Sequence, residues 1–208
     1  MVRNIFFDLG GVIVPLNRRR CLAAFTRLGV DNFGEYLNSF LQKGFFAKFE
    51  NGDISSAEFR DAVRMLVPGK EIDDNAIDGA LNEFLDHIPP EKIQYILQLK
   101  KEYRIFLLSN NNPISMDYIG KMVKEISGTT LGEIFEQLFY SYKLNLSKPG
   151  EAIFKKVIEL SGVLPQQSLF IDDGPANIET ASELGFKTLL YDTSKPFREQ
   201  IEGALGNG

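Results

Sequence analysis

Three short apolar runs in this chain each stop on polar residues, and that punctuation constrains the fold more than any bulk property. Asn4-Ile5-Phe6-Phe7 ends at Asp8, with Gly10-Gly11 behind it. Arg104 to Leu108 ends at Ser109-Asn110, and Ser168 to Ile171 ends at Asp172-Asp173-Gly174. Apolar runs this short, without alternation, read as strands buried on both faces. Helical patterns alternate with them from residue 89 onward: one opened by Pro89-Pro90-Glu91, one after Asn112, and others over 151–160 and 176–184. Further β-prone segments fall at 139–141 and 187–190, with a short helix and loop expected in 128–138. Strand–helix alternation predicts an α/β fold, a Rossmann-like parallel sheet with helices on both faces. Val12-Ile13-Val14, closed by Pro15, reads as one more short β piece.

Between the first strand and the rest the pattern changes. Apolar residues recur at helical spacing, giving helix candidates at roughly 18–28, 32–48, 55–66 and 73–85. Ser55 and Glu58 have the spacing of a capping box, and Asp73 or Asp74 suits an N-cap. The chain therefore divides into a core of 1–15 and 89–208 and an inserted α-helical cap of 16–88. Phe33, Phe40, Phe45, Phe46, Phe49 and Phe59 are expected to fill the cap's interior. The polar, glycine-ended tail 194–208 is expected to fray.

In an open parallel sheet the carboxyl ends of the strands form the ligand edge. Asp8, Ser109-Asn110 and Asp172-Asp173 would converge there, joined by Lys148 just before a helix start. Three carboxylates at one point repel one another and call for a hard, oxygen-ligated cation, for which Mg2+ is the ordinary choice. The usual partner of that ion is a phosphate group. Lys148 would neutralise phosphoryl oxygens, Ser109 Oγ and the amides around Asn110 would hold them, and Asp8 would attack phosphorus. Gly11 permits close approach of backbone to ligand. One of Arg18-Arg19-Arg20, at the exit toward the cap, is expected to steer an anion, and Arg18 is the candidate. His87, the single histidine, is read as structural or exposed, and Cys21 as a small buried residue.

Bulk properties narrow the rest. With 23 basic and 28 acidic residues the net charge is −5, which disfavours nucleic-acid binding. A single Cys rules out an internal disulfide. No apolar run approaches a membrane span, and the start at Met1-Val2-Arg3 lacks the pattern of a secretory leader. A cytoplasmic protein acting on a small phosphorylated molecule is the expectation, with monomer and homodimer both open.

Four stretches together resemble the haloacid dehalogenase-like (HAD) hydrolase superfamily, in its helical-cap subclass: FFDLGGVIV (6–14), LLSN (107–110), SKPG (147–150) and FIDDGPANI (170–178). The order matches that family's motifs, and the run at 6–14 resembles cytosolic sugar-phosphate phosphatases. The resemblance implies Asp8 as nucleophile and metal ligand and the Gly10 carbonyl as a second ligand. It implies Asp172 and Asp173 on the metal, directly or through water, Lys148 on the phosphoryl group, and Asn177 in support. One position departs from the pattern. Most phosphatases of this kind carry an acid two residues after the nucleophile, where this chain has Gly10. General acid–base help is worth roughly 10²–10⁴-fold, so a substrate hydroxyl or a cap residue would have to supply it for poor leaving groups. The same glycine keeps two alternatives open: a metal-independent 2-haloacid dehalogenase and a non-catalytic phosphate-binding protein.

Overall fold

A computed structural model of the chain describes residues 1–37 and 43–206. Five strands, β1 (Asn4–Phe7), β2 (Arg104–Ser109), β3 (Gln137–Tyr140), β4 (Ser168–Asp172) and β5 (Lys187–Leu190), form one sheet in the order β3-β2-β1-β4-β5. Every neighbouring pair is parallel. The α/β fold read from the strand–helix alternation is the one the chain adopts.

Four helices follow β1: α1 (Arg18–Arg27), α2 (Gly44–Asn51), α3 (Ser56–Met65) and α4 (Asp74–Asn82), with a 3₁₀ turn at Phe33–Glu35. The expected helix over 32–48 is this turn plus α2. Its middle, with Phe40, lies outside the described residues. The box at α3 forms as its spacing requires: Glu58 N–H donates to Ser55 Oγ at 3.2 Å, and Ser55 N–H donates to Glu58 Oε2 at 2.8 Å. Asp73 caps α4 by accepting from Ala76 N–H. These helices close around an aromatic core of their own, in which Phe25, Phe33, Phe46, Phe49 and Phe59 are buried. Phe49 stacks on Phe59 at 4.4 Å and Phe25 on Phe33 at 3.6 Å. The outgoing and returning chains run side by side. Asn17 N–H donates to Phe84 O, Asp86 N–H donates to Pro15 O, and Arg20 ties both by reaching the carbonyls of Glu83 and Leu85.

The remaining helices are α5 (Pro90–Leu99), α6 (Pro113–Ser127), α7 (Leu131–Ile134), α8 (Ser141–Leu144), α9 (Glu151–Ser161), α10 (Pro175–Glu183) and α11 (Phe197–Gly206). Side chains of a strand alternate between faces, so β1 feeds two layers. Ile5 and Phe7 pack with α5, α6 and α11, while Phe6 packs with α9 and α10. Phe6 stacks on Phe106 of the neighbouring strand at 4.6 Å.

Two expectations fail here for identifiable reasons. Val12-Ile13-Val14 is a turn and not a strand: the amides of Ile13 and Val14 both donate to Leu9 O, and Gly11 N–H donates to Val14 O. The three side chains are fully buried, so their apolar character serves the core and not a ladder. The tail does not fray over 197–206. Phe197 and Ile201, one helical turn apart, are both buried, and that pair docks α11 on the sheet. Among the described residues, no helix is long and apolar enough to cross a membrane.

Candidate active site

β1 and β4 lie side by side at the point where the strand order reverses, the place where open α/β sheets bind ligands. Asp8 follows the last residue of β1, and Asp172 ends β4 with Asp173 next to it. One carboxylate oxygen from each of the three lies within 4.8 Å of the others. Lys148 Nζ, buried beneath them, sits 2.9 Å from Asp8 Oδ1 and 2.6 Å from Asp172 Oδ2. Asp172 is held on its other side too: Oδ1 accepts from Gly174 N–H and from Asn177 Nδ2, each at 2.8 Å.

The electrostatics follow from that count. Three carboxylates face one ammonium, so the fully ionised cluster carries two surplus negative charges in a mostly dry site. Burial pushes the Asp8 carboxyl up to about 7, with Asp172 and Asp173 adding to it against the pull of Lys148. Burial and then Asp172 push Asp173 up to about 6. Burial works against the Lys148 ammonium, but Asp172 and Asp8 outweigh it and hold it charged above its ordinary value. A hard divalent cation removes this strain, and the all-oxygen donor set suits Mg2+. Among these residues Asp8 and Asp173 are the freer ligands, since both oxygens of Asp172 already have donors.

Two glycines shape the loop over the cluster. Gly11 has φ +79, and a Cβ there would lie 2.0 Å from Asp173 Oδ2. Only glycine permits that approach. Gly11 N–H is engaged by Val14 O, so this residue makes room for Asp173 and does not offer its amide to a substrate. Gly10 borders the cavity above Asp8.

At the end of β2, Asn110 lines the same cavity, and its side chain has a further task. Its side-chain amide closes a reciprocal pair with the backbone of Lys148: Nδ2 donates to Lys148 O at 2.8 Å, and Lys148 N–H donates to Asn110 Oδ1 at 2.9 Å. The side chain therefore positions the lysine. The amides of Asn111 and Asn112 are also engaged, by Ser141 Oγ and Asn111 Oδ1. Ser109 Oγ makes only a 3.4 Å contact with Asn110 O. Arg18 lies apart from the cavity over Asp8. Its Nε donates to Leu37 O at 2.9 Å and its Nη2 to Gly34 O, so it fastens the cap. His87 is exposed and Cys21 buried.

One residue of the cavity escaped the sequence reading. Glu50, at the end of α2, lines it together with Asp8, Gly10 and Lys148. Its signal was faint: an acid in the last turn of a helix, where the helix dipole disfavours negative charge.

This geometry can be set beside known proteins. The family model "haloacid dehalogenase-like hydrolase" matches residues 2–185. The chain belongs to the haloacid dehalogenase-like hydrolases. A D-ribitol-5-phosphate phosphatase of Bacteroides thetaiotaomicron is 35% identical over the whole of both chains. A HAD family enzyme of the same organism, crystallised as a mutant with magnesium and inorganic phosphate, is 34% identical with a TM-score of 0.92. The match covers 97% of this chain and 99% of that one. A predicted HAD-like hydrolase of Porphyromonas gingivalis is 40% identical with a TM-score of 0.91, over 99% and 98% of the two chains. An L-2-haloacid dehalogenase shares the fold at 19% identity and a TM-score of 0.59.

Proposed function

We propose that this HAD-like hydrolase is a Mg2+-dependent phosphatase of small phosphomonoesters, working through an aspartyl-phosphate on Asp8. The observation that carries the reading is the surplus of two negative charges around a buried lysine at the sheet's switch point. Attack on carbon by a lone carboxylate has no use for Asp172 and Asp173 beside it, which disfavours the dehalogenase alternative. The magnesium-and-phosphate complex of the Bacteroides enzyme, at a TM-score of 0.92, supports the same choice.

In this reading Asp8, Asp173 and the Gly10 carbonyl hold the metal, with Asp172 in support. Bound Mg2+ supplies charge neutralisation that lets an anionic nucleophile meet an anionic phosphoryl group. Lys148 aligns Asp8 and faces the phosphoryl oxygens. Ser109 Oγ, with its hydroxyl free to rotate, takes a further one. Asp8 Oδ attacks phosphorus as the alcohol leaves, and water then cleaves the acyl phosphate. Residues 1–15 and 89–208 act as the catalytic core and 16–88 as the cap that closes over it. The cavity between them is about 80 Å³, below the few hundred Å³ of drug-sized pockets, so the occupant is small. Similarity to the D-ribitol-5-phosphate phosphatase supports a sugar or polyol phosphate as the substrate class, and the reading places the reaction in the cytoplasm.

A panel of phosphomonoesters, including p-nitrophenyl phosphate and pentitol 5-phosphates, assayed with Mg2+ and with EDTA, tests this. Metal-dependent phosphate release is expected. No release from any ester, or halide release from 2-haloacids without metal, would overturn it.

A further inference from the structure

A phosphatase with glycine two residues past its nucleophile still has to protonate an alkoxide. No side chain at position 10 can do so, and the titratable core residues around the cavity, Asp8, Lys148 and Asp173, already have roles. The cap contributes Leu16, Phe46, Glu50, Phe84 and Leu85 to the described lining, and only one of these is titratable.

We propose that Glu50 is the general acid–base of this enzyme, carried to the reaction centre by the cap. This rests on the phosphatase reading above. Three observations support it. First, Glu50 lines the same small cavity as Asp8, Gly10 and Lys148. Second, its backbone is fastened to the core at the catalytic loops themselves. Ser141 Oγ donates to Glu50 O at 2.5 Å and accepts from Asn111 N–H at 3.0 Å. Ser147 Oγ, one residue before Lys148, donates to Asn51 Oδ1 at 2.9 Å, and Asn145 Nδ2 donates to Asn51 O at 3.2 Å. Gly52 ends α2 at φ +80 so close to the core that a Cβ would lie 2.2 Å from Tyr142 O. A cap that merely covered the site would not need its last helical turn registered against residues 111 and 147. Third, among the described residues no donor is paired with the Glu50 carboxylate.

The protonation state suits the task. Burial, and next the charge of Asp8, push Glu50 up to about 8 against the pull of Lys148, so it holds its proton at neutral pH.

The proton balance closes over the cycle. As the Asp8 Oδ–P bond forms and the P–O bond to the alcohol breaks, Glu50 gives its proton to the departing oxygen. The Glu50 carboxylate then takes a proton from the water that attacks phosphorus. The P–O bond to Asp8 breaks, inorganic phosphate leaves, and Glu50 is protonated again.

Leaving-group dependence separates this role from a structural one. Wild type and Glu50→Gln are compared with Mg2+ on a pentitol 5-phosphate, whose alkoxide needs a proton, and on p-nitrophenyl phosphate, whose phenolate does not. The parameter kcat/KM ends at departure of the leaving group, so water attack does not enter it. Glu50→Gln is expected to lower kcat/KM on the pentitol phosphate by roughly 10²–10⁴-fold. On the aryl ester the loss should be less than about tenfold, with folding monitored by circular dichroism. Equal losses on both esters would make Glu50 a cap-docking residue. A loss on the polyol carried by KM alone would make it a hydroxyl-binding residue. Either result, or no loss, overturns the proposal. Wild type inactive on these two and on every other ester of the panel would instead remove the phosphatase reading itself.

Discussion

Gly11→Ala perturbs the site through backbone geometry alone, and its consequences divide cleanly. At φ +79 an L residue pays roughly 1–2 kcal/mol. The new methyl would lie 2.0 Å from Asp173 Oδ2 and 2.5 Å from its Cγ, so the carboxylate has to move. That movement is cheap for the fold, because the obstacle is the end of a side chain and its departure relieves repulsion within the cluster. The metal-free protein should therefore lose only the backbone term, a fall in Tm of roughly 2–8 °C for a chain of this size. The metal site loses one of its freer oxygens. Disturbing even a supporting residue costs about 10–100-fold in metal affinity, so a displaced ligand should cost at least that. Gly10→Ala is the matched control. No positive φ is required there, and its Cβ would meet Leu16 Cδ1 at an ordinary 3.5 Å. Its stability should stay within about 0.5 kcal/mol of wild type. Isothermal titration with Mg2+, beside thermal melts in EDTA, gives both quantities. A folded Gly11→Ala protein that binds Mg2+ within about threefold of wild type would refute the argument that Asp173 needs the space this glycine leaves.

Other consequences follow from the same cluster and from the cap. Asp8→Asn should abolish turnover yet raise the Tm measured in EDTA, because it removes a buried carboxylate from a site with surplus negative charge; an unchanged or lower Tm would contradict the charge count. Asp8 and Asp173 titrate higher when folded, at about 7 and about 6, than the 3.8 of a free aspartate. Their contribution to metal-free stability is thus full below about pH 4 and is lost as pH rises through 6 and 7. Mg2+ has to displace those protons, so the Tm gain on adding Mg2+ should be larger at about pH 8 than at about pH 5.5, and the reverse order would count against the assignment. Phe59→Ala, which removes a buried ring packed on Phe46 and Phe49, should cost about 3–5 kcal/mol in the cap by chemical denaturation. By loosening α2 it should also depress phosphatase activity, whereas unaltered turnover would detach the cap's packing from catalysis.

Much of this protein is legible in its amino-acid order, for local reasons. The runs at 4–7, 105–108 and 168–171 are buried on both faces, so their composition announces a parallel sheet. The polar residues ending them sit at the sheet's carboxyl edge because strands run one way, which brings Asp8, Lys148 and Asp172 together across 164 residues. The box at Ser55 and Glu58 is equally local. Tertiary structure decided what depends on distant neighbours. Val12-Ile13-Val14 has β-prone side chains, but their burial in a turn holds them out of any ladder. The tail looks polar until Phe197 and Ile201 find the sheet. Asn110 borders the cavity, but the task of its side chain, pairing with the backbone of Lys148, shows only in the fold. Arg18 borders a neighbouring cavity with Gly11 and Asp173, and that its guanidinium also ties the carbonyls of Leu37 and Gly34 shows only in the fold. Glu50 carries only a faint mark of function in its own stretch of chain. Its place over Asp8 depends on how α2 packs through Phe46 and Phe49 and on where Ser141 and Ser147 catch its last turn. Strand ends are set by short-range pattern, whereas the meeting of a cap helix with a core loop is set by packing between segments about 90 residues apart, which no local pattern encodes.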